Sequence, residues 1–107
     1  MIADPEPVVL EAEQQCRYHV FVGGELAGLT QYADRGNRRV FLHTVVDDRF
    51  EGRGLASVLI AAALADVRSR QRRIVALCPF VGHYLLKHRE WETLVDSPTA
   101  ELVAEFQ

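Results

Sequence analysis

VVDDRFEGRGLAS, residues 45 to 57, sets two glycines, two arginines and three acids between apolar stretches. Apolar residues alternate upstream of it, as in strands, and recur at helical spacing downstream. A Gly-x-Gly pair therefore stands where a strand stops and a helix begins. The first amides of a helix have no intrahelical partner, and the helix dipole adds partial positive charge there. Gly52 and Gly54, having no Cβ, would let a phosphate approach those amides, with Arg49 and Arg53 adding charge from the flanks. A plain glycine turn, with Asp47, Asp48 and Glu51 as first-turn acids, explains the same residues equally well. Other phosphate motifs fit worse: the Gly-Lys-Ser/Thr of a P-loop is absent, and Ser57 stands where a dinucleotide fingerprint needs its third small residue.

Before this stretch, CRYHVFV places Tyr18, Val20 and Val22 on one side of a strand and Arg17, His19 and Phe21 on the other. Gly23-Gly24 supplies a two-residue hairpin turn, ELAGLTQYA a second strand, and Asp34 to Asn37 a second turn. Arg38 to Val46 is a third strand, so the first half is expected to be a three-stranded antiparallel meander. Residues 1 to 7, with their prolines and acids, read as an extended lead-in.

After the glycines, Leu55, Val58, Leu59 and Ala62 form one helical stripe and Ile60, Leu64 and Val67 a second, predicting a helix covered on more than one side. Arg68, Arg70, Arg72 and Arg73 read as its solvated end. Ile74 to Leu77 is four apolar residues in a row, a strand buried on both faces and closed by Pro79. Strand, helix and buried strand make a parallel βαβ crossover. FVGHYLLKH predicts a short helix, WETLV a last short strand, and Ser97-Pro98 the start of a terminal turn or helix over residues 97 to 107. The expected fold class is mixed α/β in a single domain spanning residues 1 to 107.

The totals narrow the function classes. A net charge of −3 and a pI near 5.8 argue against a nucleic-acid binder held by bulk charge. The longest apolar helical run, Leu55 to Ala65, is too short to cross a bilayer, so no membrane partner is expected. MIADPEPVVL lacks the basic start and apolar core of an export signal, and Cys16 and Cys78 are expected to stay unpaired in a cytoplasmic, reducing setting. Two cysteines and four scattered histidines give no metal-ligand spacing, and no metal site is expected.

Arg49-x-x-Gly52-x-Gly54-Leu55-Ala56 resembles the acetyl-CoA pyrophosphate loop of GNAT-superfamily N-acetyltransferases. With His43-Thr44, the FEGRGLA loop, Cys78-Pro79-Phe80-Val81 and HREWETLV at 88 to 95 in order, the chain is similar to the small single-domain GNAT-like branch. Arg89 stands where that branch usually has Pro, and Trp91 where Tyr is common. The resemblance implies a minimal acyltransferase fold whose sheet opens into a V between the strands ending at Val46 and Leu77. It also implies the absence of the two helices that usually follow the first strand, here expected at Gly23-Gly24. It implies acetyl-CoA as co-substrate: the pantetheine arm on the backbone near Val45 and Val46, and the pyrophosphate on Phe50, Glu51, Gly52, Arg53, Gly54, Leu55, Ala56 and Ser57, with Arg49 beside them. An open acceptor site favours an exposed amine, on a small molecule, a peptide or a protein.

Acetyl transfer needs a neutral amine, a polarised thioester and a proton for the departing thiolate. The resemblance puts Tyr84 in the last role; a Tyr packed in the core is the alternative. Cys78, at the mouth of the V and before a helix, either relays the acetyl group covalently or only fills space. His43 takes the amine proton or serves as a hydrogen-bonded structural residue. Phe80 reads as core. The competing functions are a coenzyme A-binding module without transfer activity and an interaction domain without ligand.

Overall fold

The computed structural model describes residues 5–107. Of the expected lead-in, residues 1 to 4 lie outside that range, and 5 to 7 belong to no helix or strand. Five strands form one sheet in the order of the sequence: β1 (Val8–Ala12), β2 (Arg17–Val22), β3 (Glu25–Arg35), β4 (Arg38–Val46) and β5 (Arg73–Ala76). The first four are antiparallel, and β5 runs parallel to β4 after the crossover helix α1 (Leu55–Ser69). Two further helices follow, α2 (Pro79–Lys87) and α3 (Ala100–Glu105).

The meander has one strand more than expected. β1 pairs with β2 from Val8↔Phe21 to Ala12↔Arg17, and its outward residues Val8 and Leu10 are exposed, so its apolar pattern does not look like a buried strand. The first strand is thus β1, and the short connection after it is the 3-10 turn Glu13–Gln15. The helix-free connection that the resemblance implies after the first strand is therefore this turn and not Gly23-Gly24. Both of those glycines do have positive φ, as a tight hairpin requires. The second turn is Gly36-Asn37 alone; Asp34 and Arg35 remain in β3.

The main core lies between one sheet face and α1 with α2, and includes Tyr18, Val20, Phe41, Leu59, Ile60 and Ile74. A smaller cluster of Val40, Val75 and Leu102, with Leu42, Leu77 and Phe106 against it, fills the opposite face beneath α3. Ile74 and Val75 therefore point to different cores, which is why β5 reads as an unbroken apolar run. α1 buries one broad face, not two: Leu55, Leu59, Ile60, Ala63, Leu64 and Val67 pack inward, while Val58 is exposed.

Three local expectations are corrected. Residues 89 to 94 form a 3-10 helix, with Val95 making a single bridge to Ile74, because Trp91 turns inward to the core and breaks the alternation a strand needs. The N-cap of α3 is Thr99, whose hydroxyl accepts from Leu102 N at 3.1 Å, while Ser97 and Pro98 precede it. The arginines in the last turn of α1 and just beyond it are individually engaged. Arg68 lies over the Trp91 ring, Arg70 pairs with Glu11 and Asp66, Arg72 approaches Asp34, and Arg73 is part of β5 and pairs with Asp96.

Arg39 ties β1, β3 and α1 together from inside. Only 2% exposed, it donates to Asp34 from Nε and Nη2, to Glu11 at 3.1 Å and to Tyr18 Oη at 2.6 Å. Its guanidinium also stacks on Tyr32 at 3.8 Å. Burying a cation is costly unless its donors are satisfied, and here three carboxylates, counting Asp66 at 3.6 Å, surround it. The hydrogen bond from Arg39 holds the Asp34 carboxyl below its usual range.

Candidate active site

β5 leaves β4 at Phe41. The strands pair only from Arg38↔Arg73 to Phe41↔Ala76, and Phe41 O then accepts from both Leu77 N and Cys78 N, at 3.0 and 2.9 Å. Pro79 opens α2 with no amide proton to donate. β4 runs on to Val46, so residues 42 to 46 have a strand neighbour on the β3 side alone. Asp47 N donates to Ala27 O; by alternation Val45 also turns its backbone to β3, leaving Thr44 and Val46 to face the free edge. The edge residue is Val46. Val45 lines a different hollow with Leu26, Gly28 and Asp47 on the far sheet face.

A bulge sets which side chains meet at this parting. Gln31 pairs with His43 and Tyr32 with Phe41, so Leu42 is an extra residue and the facing parity of β4 switches there. Phe41 packs into the main core, and beyond the bulge Thr44 and Val46 take over that side. Thr44 Oγ1 lies 3.0 Å from Thr30 Oγ1 and accepts from Cys78 Sγ at 3.3 Å. His43 consequently points to the opposite face, exposed and, among the described residues, without a side-chain hydrogen bond. Simple alternation from Phe41 would have put it beside Cys78.

The loop between β4 and α1 begins with Asp47, whose carboxylate accepts from Arg49 N at 2.9 Å and caps a 3-10 turn. That backbone bond lowers the Asp47 pKa, with the Arg49 guanidinium adding to it. Within the turn Phe50 N bonds Asp47 O and Glu51 N bonds Asp48 O. From Gly52 to Ser57 no amide has a protein partner among the described residues, the first helical bond being Val58 N to Gly54 O. The expected block of free amides over 50 to 57 is thus narrowed to 52 to 57. Gly52 and Gly54 hold φ of 80° and 70°, and no atom lies within 4 Å of where a Cβ would stand on either. Backbone conformation, not crowding, requires glycine at both.

These amides border a groove of ≈ 260 Å³. Val46, Phe50, Glu51, Gly52, Gly54, Leu55, Ala56 and Ser57, all expected to contact cofactor, line it, and Phe80 closes its far wall. Phe80 is 38% exposed, so it is a wall residue and not core. Sequence alone could not separate these roles, because an aromatic at the second position of a helix suits either. Arg49 is held by Asp47 and, at 3.4 Å, by Glu25. Arg53 has no carboxylate partner among the described residues and rests over the Phe50 ring at 5.5 Å.

Tyr84 packs in the same core cluster as Cys78, and among the described residues no hydrogen bond joins it to Cys78 or His43. Its ring stacks on His88, with centroids 3.9 Å apart, and burial raises its pKa, Glu90 adding and Trp91 opposing. Both cysteines are free, Cys16 exposed and Cys78 buried. Among the described residues no group of three or more His, Cys, Asp or Glu could hold a metal.

A family model described as GCN5-related N-acetyl-transferase matches residues 17–94. The chain belongs to the GCN5-related N-acetyltransferases. Solved structures agree on the fold. A GCN5-like protein from Staphylococcus aureus superposes with a TM-score of 0.66 at 19% identity, covering 87% of this chain and 91% of that one. The ribosomal-protein-alanine N-acetyltransferase of Brucella melitensis gives 0.56 at 19% identity, over 78% of this chain and 62% of its own. The ribosomal-protein-S18-alanine N-acetyltransferase of Escherichia coli gives 0.54 at 14%, over 60% and 42%. The chain therefore spans less than two thirds of the length of either ribosomal-protein enzyme. A comparison with curated proteins by sequence finds no match. For a GCN5-related N-acetyltransferase the co-substrate is acetyl-CoA.

Proposed function

We propose that this protein transfers the acetyl group of acetyl-CoA to an amine on a peptide or protein. The observation that carries the reading is the run of six partnerless amides, Gly52 to Ser57, at one end of the free β4 edge. A diphosphate fits the amides through charge and hydrogen bonding. An extended pantetheine arm carries amide groups of its own and would add to the edge at Thr44 and Val46 as a strand does. That path leads to the gap where β5 turns away at Phe41.

The thioester then lies between Cys78 on one side of the sheet and the exposed His43 on the other. A neutral amine arriving on the His43 side forms a C–N bond to the carbonyl carbon as the C–S bond breaks. Its surplus proton passes to His43 Nδ1 or Nε2, and the coenzyme leaves as thiolate to be protonated from solvent. Tyr84 is assigned no proton transfer in this scheme, since its ring is stacked on His88 among the Glu90 and Trp91 side chains. The short turn Glu13–Gln15 leaves room for a large acceptor. Two fold neighbours named for a ribosomal-protein alanine support a protein amine as the class.

A relay through Cys78 is the second reading, favoured by the position of its thiol beside the parting and at the N-terminus of α2. There Cys78 Sγ bonds the carbonyl carbon as the C–S bond to the coenzyme breaks, its thiol proton going to the departing coenzyme thiolate; the amine then takes the acetyl group from Sγ and its surplus proton returns to the Cys78 thiolate. The relay needs Cys78 as a reduced thiol, so a cytoplasmic, reducing setting goes with this reading.

The test is thiol release from acetyl-CoA with a library of peptide amines, alongside amide chemical shifts during coenzyme A titration. Shifts confined to 52–57 and the free edge, with turnover, support transfer. Shifts without turnover on any amine leave a coenzyme-binding module, and unmoved amides at millimolar coenzyme defeat both.

A further inference from the structure

The coenzyme groove does not end at α1. Ser57 and Phe80 border both it and a second groove of ≈ 130 Å³, so the two adjoin at the N-terminal turns of α1 and α2. The second groove is bordered by His83, Tyr84, Lys87 and His88. His83 and Lys87 are four residues apart on α2 and so share a face. Neither makes an ion pair or side-chain hydrogen bond among the described residues, whereas His88 Nδ1 lies 3.4 Å from Glu90.

Charge is divided between the two grooves. Among the residues that line the first, the charged side chain is Glu51; the second is lined by Lys87 with two imidazoles beside it. A lysine in the last turn of a helix already opposes the dipole of that helix, but this accounts neither for the groove nor for His83. Coenzyme A differs from a simple diphosphate by a phosphomonoester on its ribose, which is close to dianionic at neutral pH and needs cationic donors. The backbone amides can supply the diphosphate seat, with Arg53 over Phe50 at its rim, and Lys87 sets a separate cation at the adjoining groove for the other phosphate.

We propose that Lys87 and His83, across from Ser57, form the seat of the ribose phosphate of coenzyme A, so that the protein selects phosphorylated over dephosphorylated carrier. This rests on the diphosphate lying at Gly52–Ser57. Lys87 acts as a point charge on a flexible stem, and the exposed Ser57 hydroxyl adds a neutral donor from α1.

Calorimetric titration of the whole protein with coenzyme A and with dephospho-coenzyme A, for the natural chain, Lys87→Ala and Lys87→Arg, tests it. The natural chain should bind coenzyme A about tenfold more tightly than the dephosphorylated form, the scale of one charge-assisted contact. Lys87→Ala should erase that difference while leaving dephospho-coenzyme A affinity unchanged, which also shows that the variant is folded. Lys87→Arg should restore most of it. Equal binding of the two carriers by the natural chain, or a Lys87→Ala loss shared equally by both, overturns the ribose-phosphate seat and leaves the diphosphate seat standing. Binding of neither carrier overturns the diphosphate seat and this inference with it.

Discussion

Cys78 Sγ donates to Thr44 Oγ1 at 3.3 Å, a bond that spans the gap β5 opens beyond Phe41. It joins the start of α2 to the stretch of β4 that β5 no longer covers. If the acetyl group passes directly to the amine, Cys78→Ala removes a small buried group and costs about 1–2 kcal/mol of stability, leaving coenzyme affinity and turnover within a few-fold. If the thiol relays the group, turnover falls by orders of magnitude and an acetylated Cys78 is recoverable from the natural protein by mass spectrometry. Urea unfolding with single-turnover kinetics separates the two.

The glycines divide into two kinds. A Cβ on Gly28 would stand 2.6 Å from Val45 O, inside the closest approach of β3 to β4. Gly28→Ala should therefore destabilise by about 1–3 kcal/mol through overpacking. Gly54→Ala meets no atom but is held at φ 70°, so about 1–2 kcal/mol of left-handed strain is expected. Only the Gly54 change should weaken coenzyme binding, because its methyl enters the groove. Melting curves with and without coenzyme A read both effects.

Arg49 and Arg53 should not be equivalent. Arg49 is already paired with Asp47 and Glu25, whereas Arg53 has no carboxylate among the described residues. Arg53→Ala should lower coenzyme A affinity about three- to tenfold and flatten its salt dependence, while Arg49→Ala should do so less, by the scale of one exposed charge contact. Affinities at low and high salt decide.

Arg39 is the residue on which the meander depends. Its removal leaves Glu11, Asp34 and Asp66 close together with no buried cation, and Arg39→Ala should cost about 3–5 kcal/mol. Lys in its place cannot make the forked bonds to Asp34, so Arg39→Lys should rescue little. The urea midpoint reports both.

Acid should expose the same dependence. Asp34 is lowered chiefly by the Arg39 hydrogen bond; for Asp96 burial works upward but the bonds from Arg73 and Arg38 prevail and lower it. A carboxyl with a lowered folded-state pKa binds protons more readily when unfolded. Its stabilisation is therefore complete above the ordinary carboxylate range, roughly pH 4, and is lost as pH falls through the lower folded values. Urea midpoints should hold steady from pH 7 to about pH 5 and then drop, and Asp96→Asn should make the drop shallower. A midpoint that rises on acidification contradicts the assignment.

Local patterning made much of this molecule legible. The ends of β4, the helix after Gly54, the doubly buried β5 and the helix carrying Tyr84 follow from side-chain period and turn chemistry, which act over a few residues. Eight of the groove residues were found because a helix start with glycines is a local event. Features that depend on distant partners were not legible. β1 shows two exposed apolar residues because its inward side is occupied by Glu11 reaching Tyr32 and Arg39. WETLV scans as a strand until Trp91 is needed in the core, and Phe80 scans as core until a groove is found at its ring.

What the chain determines by itself is the alternation of strands, the crossover and the glycine loop, since backbone sterics and hydrophobic period are written residue by residue. What only the tertiary structure decides is which atoms meet at the parting of β4 and β5. One extra residue, Leu42, reverses every side chain after it, sending His43 outward and Thr44 to Cys78. A bulge arises from the register between two strands, and register is a property of the pair that neither strand carries alone.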